Sequence, residues 1–260
     1  MNNNARIFAL LVVASAALAV MAALVAAANT DPLPPTTLNR LSDARLNTSY
    51  YASQSEEAEA GNVTELQIVG TGVTKFWQGY FGNVTGTITL DDADDNTMYD
   101  WSDAEPQGEI YASLASAITW ADIDCWDQTQ AGGTNLTIEE SRYGMASNGV
   151  DGIDETFNIT THPELVVGTY NVTQNTCWTT HTYINGAYQT TYFYEVLLTD
   201  TVSMIYTTII ENDNIDAEVE NTTDIIGFDG FAHDFQMLVA EDGSMGDDTS
   251  TTYYFWVELS

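Results

Sequence analysis

Residues 75–86 read KFWQGYFGNVTG, and this stretch is the strongest indication of fold in the chain. Its four aromatic residues bring a large apolar area, and its three glycines allow backbone conformations that a Cβ atom would block. Such a composition is typical of packed structure rather than of a solvated loop. We expect Trp77 and Phe81 to anchor the core, and Gly82 to Thr85 to form an exposed bend.

A hairpin is predicted directly after this stretch. Thr87–Leu90 alternates polar and apolar residues, Asp91–Asn96 is an acidic turn, and Met98–Trp101 supplies the returning strand. Side chains two residues apart lie on the same face of a strand. The alternation therefore predicts a hairpin with one buried face.

Further strand signals recur along the chain, separated by turn residues. The clearest is Asn185-Gly186, which predicts a type I′ turn between strands His181–Ile184 and Ala187–Tyr192. The other predicted strands are residues 62–73, 108–113, 165–167, 169–172, 193–198, 203–210, 235–239 and 251–259.

Helical signals are weak in comparison. Thr119 could cap a helical turn, and Thr137 and Glu140 have capping-box spacing for a short helix that reaches Met145. About ten strands with one or two short helices predict an all-β fold, most simply a β-sandwich of mostly antiparallel strands.

The N-terminal residues 1–28 differ from everything that follows. Ile7–Ala28 is apolar throughout except for Ser15, and as a helix it would span roughly 33 Å, enough for a bilayer. This N-terminal hydrophobic helix could be a secretory signal cleaved after Ala28, a retained anchor, or a pilin-type helix processed near Arg6. All three place the remainder outside the cytoplasm, with residues 29–60 as a linker or stalk and residues 61–260 as the β-sandwich ectodomain. Only residues 7–28, if retained, are expected to contact a membrane.

Charge indicates an unusual environment. The chain has 38 acidic residues against 5 basic ones, and its net charge is −33. Such a field repels phosphate backbones, which excludes nucleic-acid binding. The 44% hydrophobic and 11% aromatic content excludes an acidic disordered protein. A folded acidic surface is typical of a protein from a halophilic archaeon, because high salt screens its self-repulsion.

Two sequence features support an extracellular location. Cys125 and Cys177 are the only cysteines, and an even pair in an exported chain predicts one disulfide. Seven asparagines lie in N-x-S/T sequons, and they predict N-linked glycans on an exposed surface. The Thr-rich composition of strands is the alternative explanation for the sequons, which are Asn47, Asn62, Asn83, Asn135, Asn158, Asn171 and Asn221.

Enzymatic motifs are poor. His162, His181 and His233 have no partner at helical metal-site spacing, and the sequence contains neither an HExxH nor a GxSxG motif. The 38 acids offer too many carboxylate pairs for any one of them to indicate hydrolysis.

Calcium is the better prediction for a bound ion, because carboxylate oxygens suit a hard cation. The candidate ligands lie in two acidic loops and are Asp91, Asp92, Asp94, Asp95, Asp151 and Asp154. Acidic turns are also expected in any halophilic protein. If some of the aromatic residues form an exposed interface, the candidates are Trp77, Tyr80 and Trp256.

Several blocks resemble those of uncharacterised secreted or surface proteins of archaea. They are Trp77–Gly86, Gly108–Ser113, Gly227–Gly230, Asp234–Gln236 and the ending Thr251–Leu259. The resemblance covers most of residues 60–260. It implies an exported envelope or filament protein and carries over no catalytic residue.

The sequence therefore predicts a non-enzymatic extracellular glycoprotein, a cell-surface or pilus-like filament subunit. Its expected partners are copies of itself or envelope neighbours, and a strand at the end of the chain could pair with an open sheet edge of a neighbour. The alternative is a secreted glycan-binding or calcium-dependent hydrolytic domain.

Overall fold

The computed structural model describes residues 31–46, 54–103, 108–129, 134–211, 225–242 and 250–259. The predicted N-terminal helix over residues 1–28 and the sequons at Asn47 and Asn221 lie outside these ranges. Within them, no helix is both long enough and apolar enough to cross a lipid bilayer.

Strands dominate the described residues and the helices are short, which confirms the all-β prediction. The helices are α1 (Leu136–Tyr143) and α2 (Ile153–Thr156), with a 3-10 turn at Trp120–Asp122. The strands are β1 (Trp77–Gly82), β2 (Gly86–Asp91), β3 (Thr97–Asp103), β4 (Gly108–Ser113), β5 (Asp124–Cys125), β6 (Leu165–Val167), β7 (Tyr170–Val172), β8 (Thr179–His181), β9 (Tyr194–Thr199), β10 (Met204–Ile209), β11 (Phe235–Ala240) and β12 (Tyr254–Leu259).

Helix α1 begins two residues earlier than a capping box with Thr137 as N-cap would place it. Asn135 is the N-cap, and its side-chain oxygen accepts a hydrogen bond from the backbone N–H of Ile138 at 3.1 Å. The helix ends at Gly144, whose φ of 70° is the left-handed conformation that glycine adopts without strain. Asn135 displaces Thr137 because asparagine is among the best residues for this position.

The central sheet has six strands, and every pairing in it is antiparallel. Its order is β12-β4-β10-β9, and the outer edge of β9 is shared by two short strands. β8 pairs with the first half of β9 and β5 with its last two residues. Three two-stranded sheets accompany it: β1–β11, β2–β3 and β6–β7.

Both faces of the central sheet are buried. On one face, Leu197 and Tyr206 pack in a cluster with Met237 and Val239 of β11. On the other face, Val196 and Ile205 belong to a second cluster that includes residues of β6 and β7. This double coverage explains why β9 contains three apolar residues in succession, Val196, Leu197 and Leu198.

The outer edge of β12 is covered by a proline-rich segment, Pro32–Pro35, which we call the edge strap. Leu33 and Val257 form an isolated antiparallel bridge, with N···O distances of 3.0 Å and 2.8 Å. Prolines at 32, 34 and 35 have no N–H to continue a ladder, so the bridge cannot lengthen into a strand. The strap therefore blocks the edge at which the sequence predicts pairing with a neighbour.

The predicted disulfide is present. Cys125 at the end of β5 is bonded to Cys177, which is fully buried in the second cluster. The bond ties the edge of the central sheet to the chain segment that leads into β8.

The Asn-Gly turn is confirmed, but the strands predicted around it are mostly wrong. Asn185 and Gly186 have φ values of 48° and 71°, as a type I′ turn requires. Only one bridge, Ile184 to Ala187, flanks the turn. The two turn N–H groups instead donate to the carbonyls of Gly227 and Phe228, at 2.8 Å and 3.0 Å.

The strand predicted within residues 62–73 is also wrong. These residues belong to no strand, and no backbone hydrogen bond joins residues 63–73 to another described residue. Val63, Leu66 and Ile68 are exposed. We call residues 62–75 the arm.

We predict that replacing both cysteines by serine lowers the free energy of unfolding by about 4 kcal/mol, because the bond closes a loop of 52 residues. Urea unfolding followed by tryptophan fluorescence, at constant salt, measures the change. Wild-type protein treated with reductant is the control and should lose the same amount. Unchanged unfolding midpoints would contradict a stabilising bond.

Candidate functional surface

The hairpin formed by β2 and β3 has one apolar and one polar face. The register places Ile88 opposite Trp101 and Leu90 opposite Tyr99, so these four side chains share a face. Thr89 lies opposite Asp100 on the other face. This pairing confirms the hairpin that the sequence predicts.

The apolar face of the hairpin is not buried, and that part of the prediction is wrong. Ile88, Leu90, Tyr99 and Trp101 are 48%, 50%, 59% and 53% exposed. The reason is topological, because β2 and β3 pair only with each other in the described chain. A two-stranded hairpin with an uncovered apolar face is marginal in water, and a third strand or a packed surface normally stabilises it.

The acidic turn of the hairpin uses its carboxylates to organise its own backbone. One oxygen of Asp92 accepts hydrogen bonds from the N–H groups of Asp94 and Asn96 at 2.9 Å and 3.0 Å, and from the Asn96 side chain. Those bonds, led by the one from the Asn96 side chain, lower the pKa of Asp92. Thr89 donates to Asp91 and lowers its pKa in the same way.

The second predicted calcium loop is likewise engaged with neighbouring protein groups. Asp151 accepts a hydrogen bond from the Thr74 hydroxyl at 2.7 Å, and its carbonyl accepts one from the Trp77 indole at 2.8 Å. Asp154 lies in α2. Among the described residues, no group of three or more acidic, histidine or cysteine side chains is placed to hold a metal ion.

The three aromatic residues predicted at an interface lie in different environments. Trp256 is 6% exposed and belongs to the second core cluster, so predicting it at the surface is wrong. Trp77 is half-buried against the first cluster. Tyr80 is exposed, with its ring edge-on to Phe255. Phe81, expected in the core, is 46% exposed and packs on Phe228 and His233.

His162 has a structural role near the disulfide. Its Nε2 accepts the backbone N–H groups of Thr176 and Cys177, both at 3.0 Å, so its Nδ1 carries the proton and donates to the Pro163 carbonyl. Burial lowers the pKa of His162, which favours this neutral form. His233 lies 3.0 Å from Asp229 at the rim of the Phe81 contact.

Sequence reasoning missed a pair of carboxyl groups on the central sheet. Glu109 and Glu258 are directly opposed in the register of β4 and β12. Glu258 accepts the Tyr111 hydroxyl and the Gly168 N–H, each at 3.0 Å. Burial, and then the charge of Glu258, raises the pKa of Glu109 to about 8. The sequence signal for these carboxyl groups is a glutamate within an otherwise mostly apolar strand.

Glu195 is a second missed carboxyl group. It is fully buried between β9 and β11, and its Oε2 accepts the Leu238 N–H at 2.7 Å. Its other oxygen has no hydrogen-bond partner. Burial raises the pKa of Glu195 well above its ordinary value, which favours the protonated form.

The described sequons fall into two groups. Asn62, Asn83, Asn158 and Asn171 are exposed, as an attached glycan requires. Asn135 is half-buried and caps α1.

Comparison with family models, with curated proteins and with solved structures finds no match to this chain. The resemblance to secreted archaeal proteins therefore stays a prediction from the sequence blocks.

We predict glycans at Asn62, Asn83, Asn158 and Asn171, and an unmodified Asn135 because its side chain caps α1. Glycopeptide mass spectrometry on protein from native cells measures occupancy. Asn135→Asp keeps the capping oxygen, so it should change neither the glycan occupancy of the other sites nor the stability of the protein. Asn135→Ala should cost about 1 kcal/mol. Full occupancy at Asn135 would contradict this assignment.

We predict that the free energy of unfolding falls as pH rises from about 4.5 to about 8, because unfolded Glu109 ionises before the folded group does. Glu109→Gln removes this contribution and should be at least about 1 kcal/mol more stable than the wild type at pH 8. Urea unfolding at pH 5 and pH 8 measures both effects.

The matched control for this pH prediction is Glu155→Gln, which removes one charge at an exposed position. It should keep the wild-type pH dependence. Equal pH profiles for the two variants would show that Glu109 is not desolvated. Burial raises the pKa of Glu211 to about 7. Glu211 should therefore preserve part of the pH dependence of unfolding in both variants.

Proposed function

We propose that this chain is a non-enzymatic structural glycoprotein, exported to the cell surface of a halophilic archaeon as an envelope or filament subunit. The observation that carries the proposal is the uncovered apolar face of the β2–β3 hairpin. A face with Ile88, Leu90, Tyr99 and Trp101 side by side is the composition of a protein contact rather than of a solvated surface.

The fold suits such a role. We describe it as a β-sandwich in which the central sheet is covered on both faces, by β1–β11 and by β6–β7. The disulfide and the edge strap fasten the margins of that sheet. The hairpin lies outside both covered faces, so a neighbour can bind it without disturbing the core.

Charge sets the conditions under which copies could associate. At −33 per chain, two subunits repel over about 10 Å at 0.1 M salt and over only about 3 Å at 1 M salt. Apolar contacts also strengthen in many concentrated salts. Association through the hairpin is therefore expected to need the high salt in which halophiles live.

One observation favours a second candidate, a glycan-binding module. The rings of Tyr99 and Trp101 lie 4.9 Å apart on the exposed hairpin, and exposed aromatic faces also bind sugars. Binding of soluble oligosaccharides by the monomer, with loss in Trp101→Ala, would favour this module over assembly.

Immunogold electron microscopy of native cells, with an antibody to this chain, tests the proposal. Label along filaments or on the envelope is the expected result. Label confined to the soluble secreted fraction would overturn the structural role. N-terminal sequencing of the same material identifies the fate of residues 1–28.

We predict that Leu90→Asp abolishes self-association in molar salt while leaving the thermal unfolding midpoint of the monomer within a few degrees of wild type. Leu90 is half exposed, and a charge there spoils an apolar contact but not the core. Sedimentation velocity measures the association state. Val202→Asp, at an exposed valine outside the hairpin, is the control and should associate normally.

A further inference from the structure

We propose that the arm of one copy pairs with the β2–β3 hairpin of the next copy, adding a third strand and covering its apolar face. This inference rests on the proposed assembly function and names its partner, a second copy of this chain bound head to tail. The chain carries both halves of such a contact.

The arm is the first half. Residues 63–73 form no strand and no backbone hydrogen bond within the described chain. Leu66, Ile68 and Val69 are 58%, 86% and 86% exposed. An extended segment with free backbone groups and apolar side chains is the form of ligand that adds a strand to a sheet edge.

The hairpin is the second half. Each of its strands pairs on one side only, so the described chain leaves two edges able to accept a strand. Ten residues from Leu66 to Lys75 span about 33 Å when extended, and a six-residue strand about 20 Å. The arm is long enough to pair along the whole of β2 or β3.

Charge favours the arm over a second hairpin as the occupant. The arm carries one acidic residue, Glu65, and one basic residue, Lys75, so it has no net charge. The hairpin carries no basic residue and six aspartates, at positions 91, 92, 94, 95, 100 and 103. Hairpin-to-hairpin contact would bring two such acidic groups together, whereas the arm adds no net negative charge to the contact.

Within the described chain the arm and the hairpin do not pair with each other, which leaves both available to a different copy. β1 is paired along its whole length with β11, so its two ends are fixed. The arm leaves before Trp77 and the hairpin begins after Gly82, which puts them at opposite ends of a strand about 20 Å long. The Thr74–Asp151 hydrogen bond fixes the base of the arm away from the hairpin.

A contact between two different surfaces is heterologous, and its repetition builds a ring or an open filament rather than a closed dimer. Each subunit then offers one arm and one hairpin. The inference therefore accounts for growth in one direction from a single kind of chain.

Cysteine cross-linking of the full chain in molar salt tests this pairing. Ile68→Cys in the arm and Leu90→Cys in the hairpin are mixed and treated with a short bismaleimide, which leaves the native disulfide intact. We expect a cross-linked dimer of one chain of each kind, and a ladder of oligomers from the double variant. Val202→Cys replaces Leu90→Cys as the exposed control and should reduce the mixed dimer at least tenfold.

Three results would overturn the exchange: dimers between two Leu90→Cys chains alone, a cross-link within one monomer of the double variant, or no product above the control. Immunogold labelling of the same cells separates this failure from failure of the proposed function. Labelled filaments with any of these three results reject the arm exchange only. Label restricted to soluble monomer rejects the structural role itself.

Discussion

Burial of both faces of β9 and β10 is the constraint on which the rest of the structure depends. A strand covered on one side can place polar residues on the other, but Val196, Leu197 and Ile205 require cover on two sides. The ribbon β1–β11 supplies one cover, and the β6–β7 ribbon with the disulfide supplies the other. Elements that belong to neither cover are free for contacts outside the chain.

The same double coverage explains the buried acids. Glu195 is fully buried and Glu109 is half-buried, and burial favours the neutral carboxylic acid at each site. The chain thus separates its many acids into two populations. Exposed aspartates such as Asp92 are ionised and accept hydrogen bonds within turns. For the few glutamates in the interior, burial favours the neutral, protonated form.

Local patterns predicted most of the strands that the structure shows. Gly108–Ser113 is a strand over the predicted residues, and Tyr254–Leu259 lies within the strand predicted at residues 251–259. The positive φ values of Asn185 and Gly186 follow from residue chemistry alone. Where a side chain or turn residue fixes the backbone directly, the sequence is sufficient.

Predictions failed where distant residues decide the outcome. Ile88 and Leu90 have the alternation of a half-buried strand, but no described element packs over them. Trp256 was expected at the surface, yet β4 and Trp120 enclose it. The hairpin strands expected on either side of Asn185-Gly186 are mostly replaced by one bridge, Ile184 to Ala187, because the turn hydrogen-bonds to Gly227 and Phe228 instead. Hydrophobic periodicity predicts which face of a strand is buried, but it does not show which part of the chain packs against that face.

The edge strap joins residues from early in the chain to its final described strand. Leu33 is synthesised long before its bridge partner Val257. Strand β4 likewise pairs on its outer edge with β12, which is synthesised much later. The central sheet therefore stays incomplete until Tyr254–Leu259 has been synthesised. Contacts between such distant residues close a very large loop, which slows folding. The native sheet should therefore form late, after β12 has been synthesised.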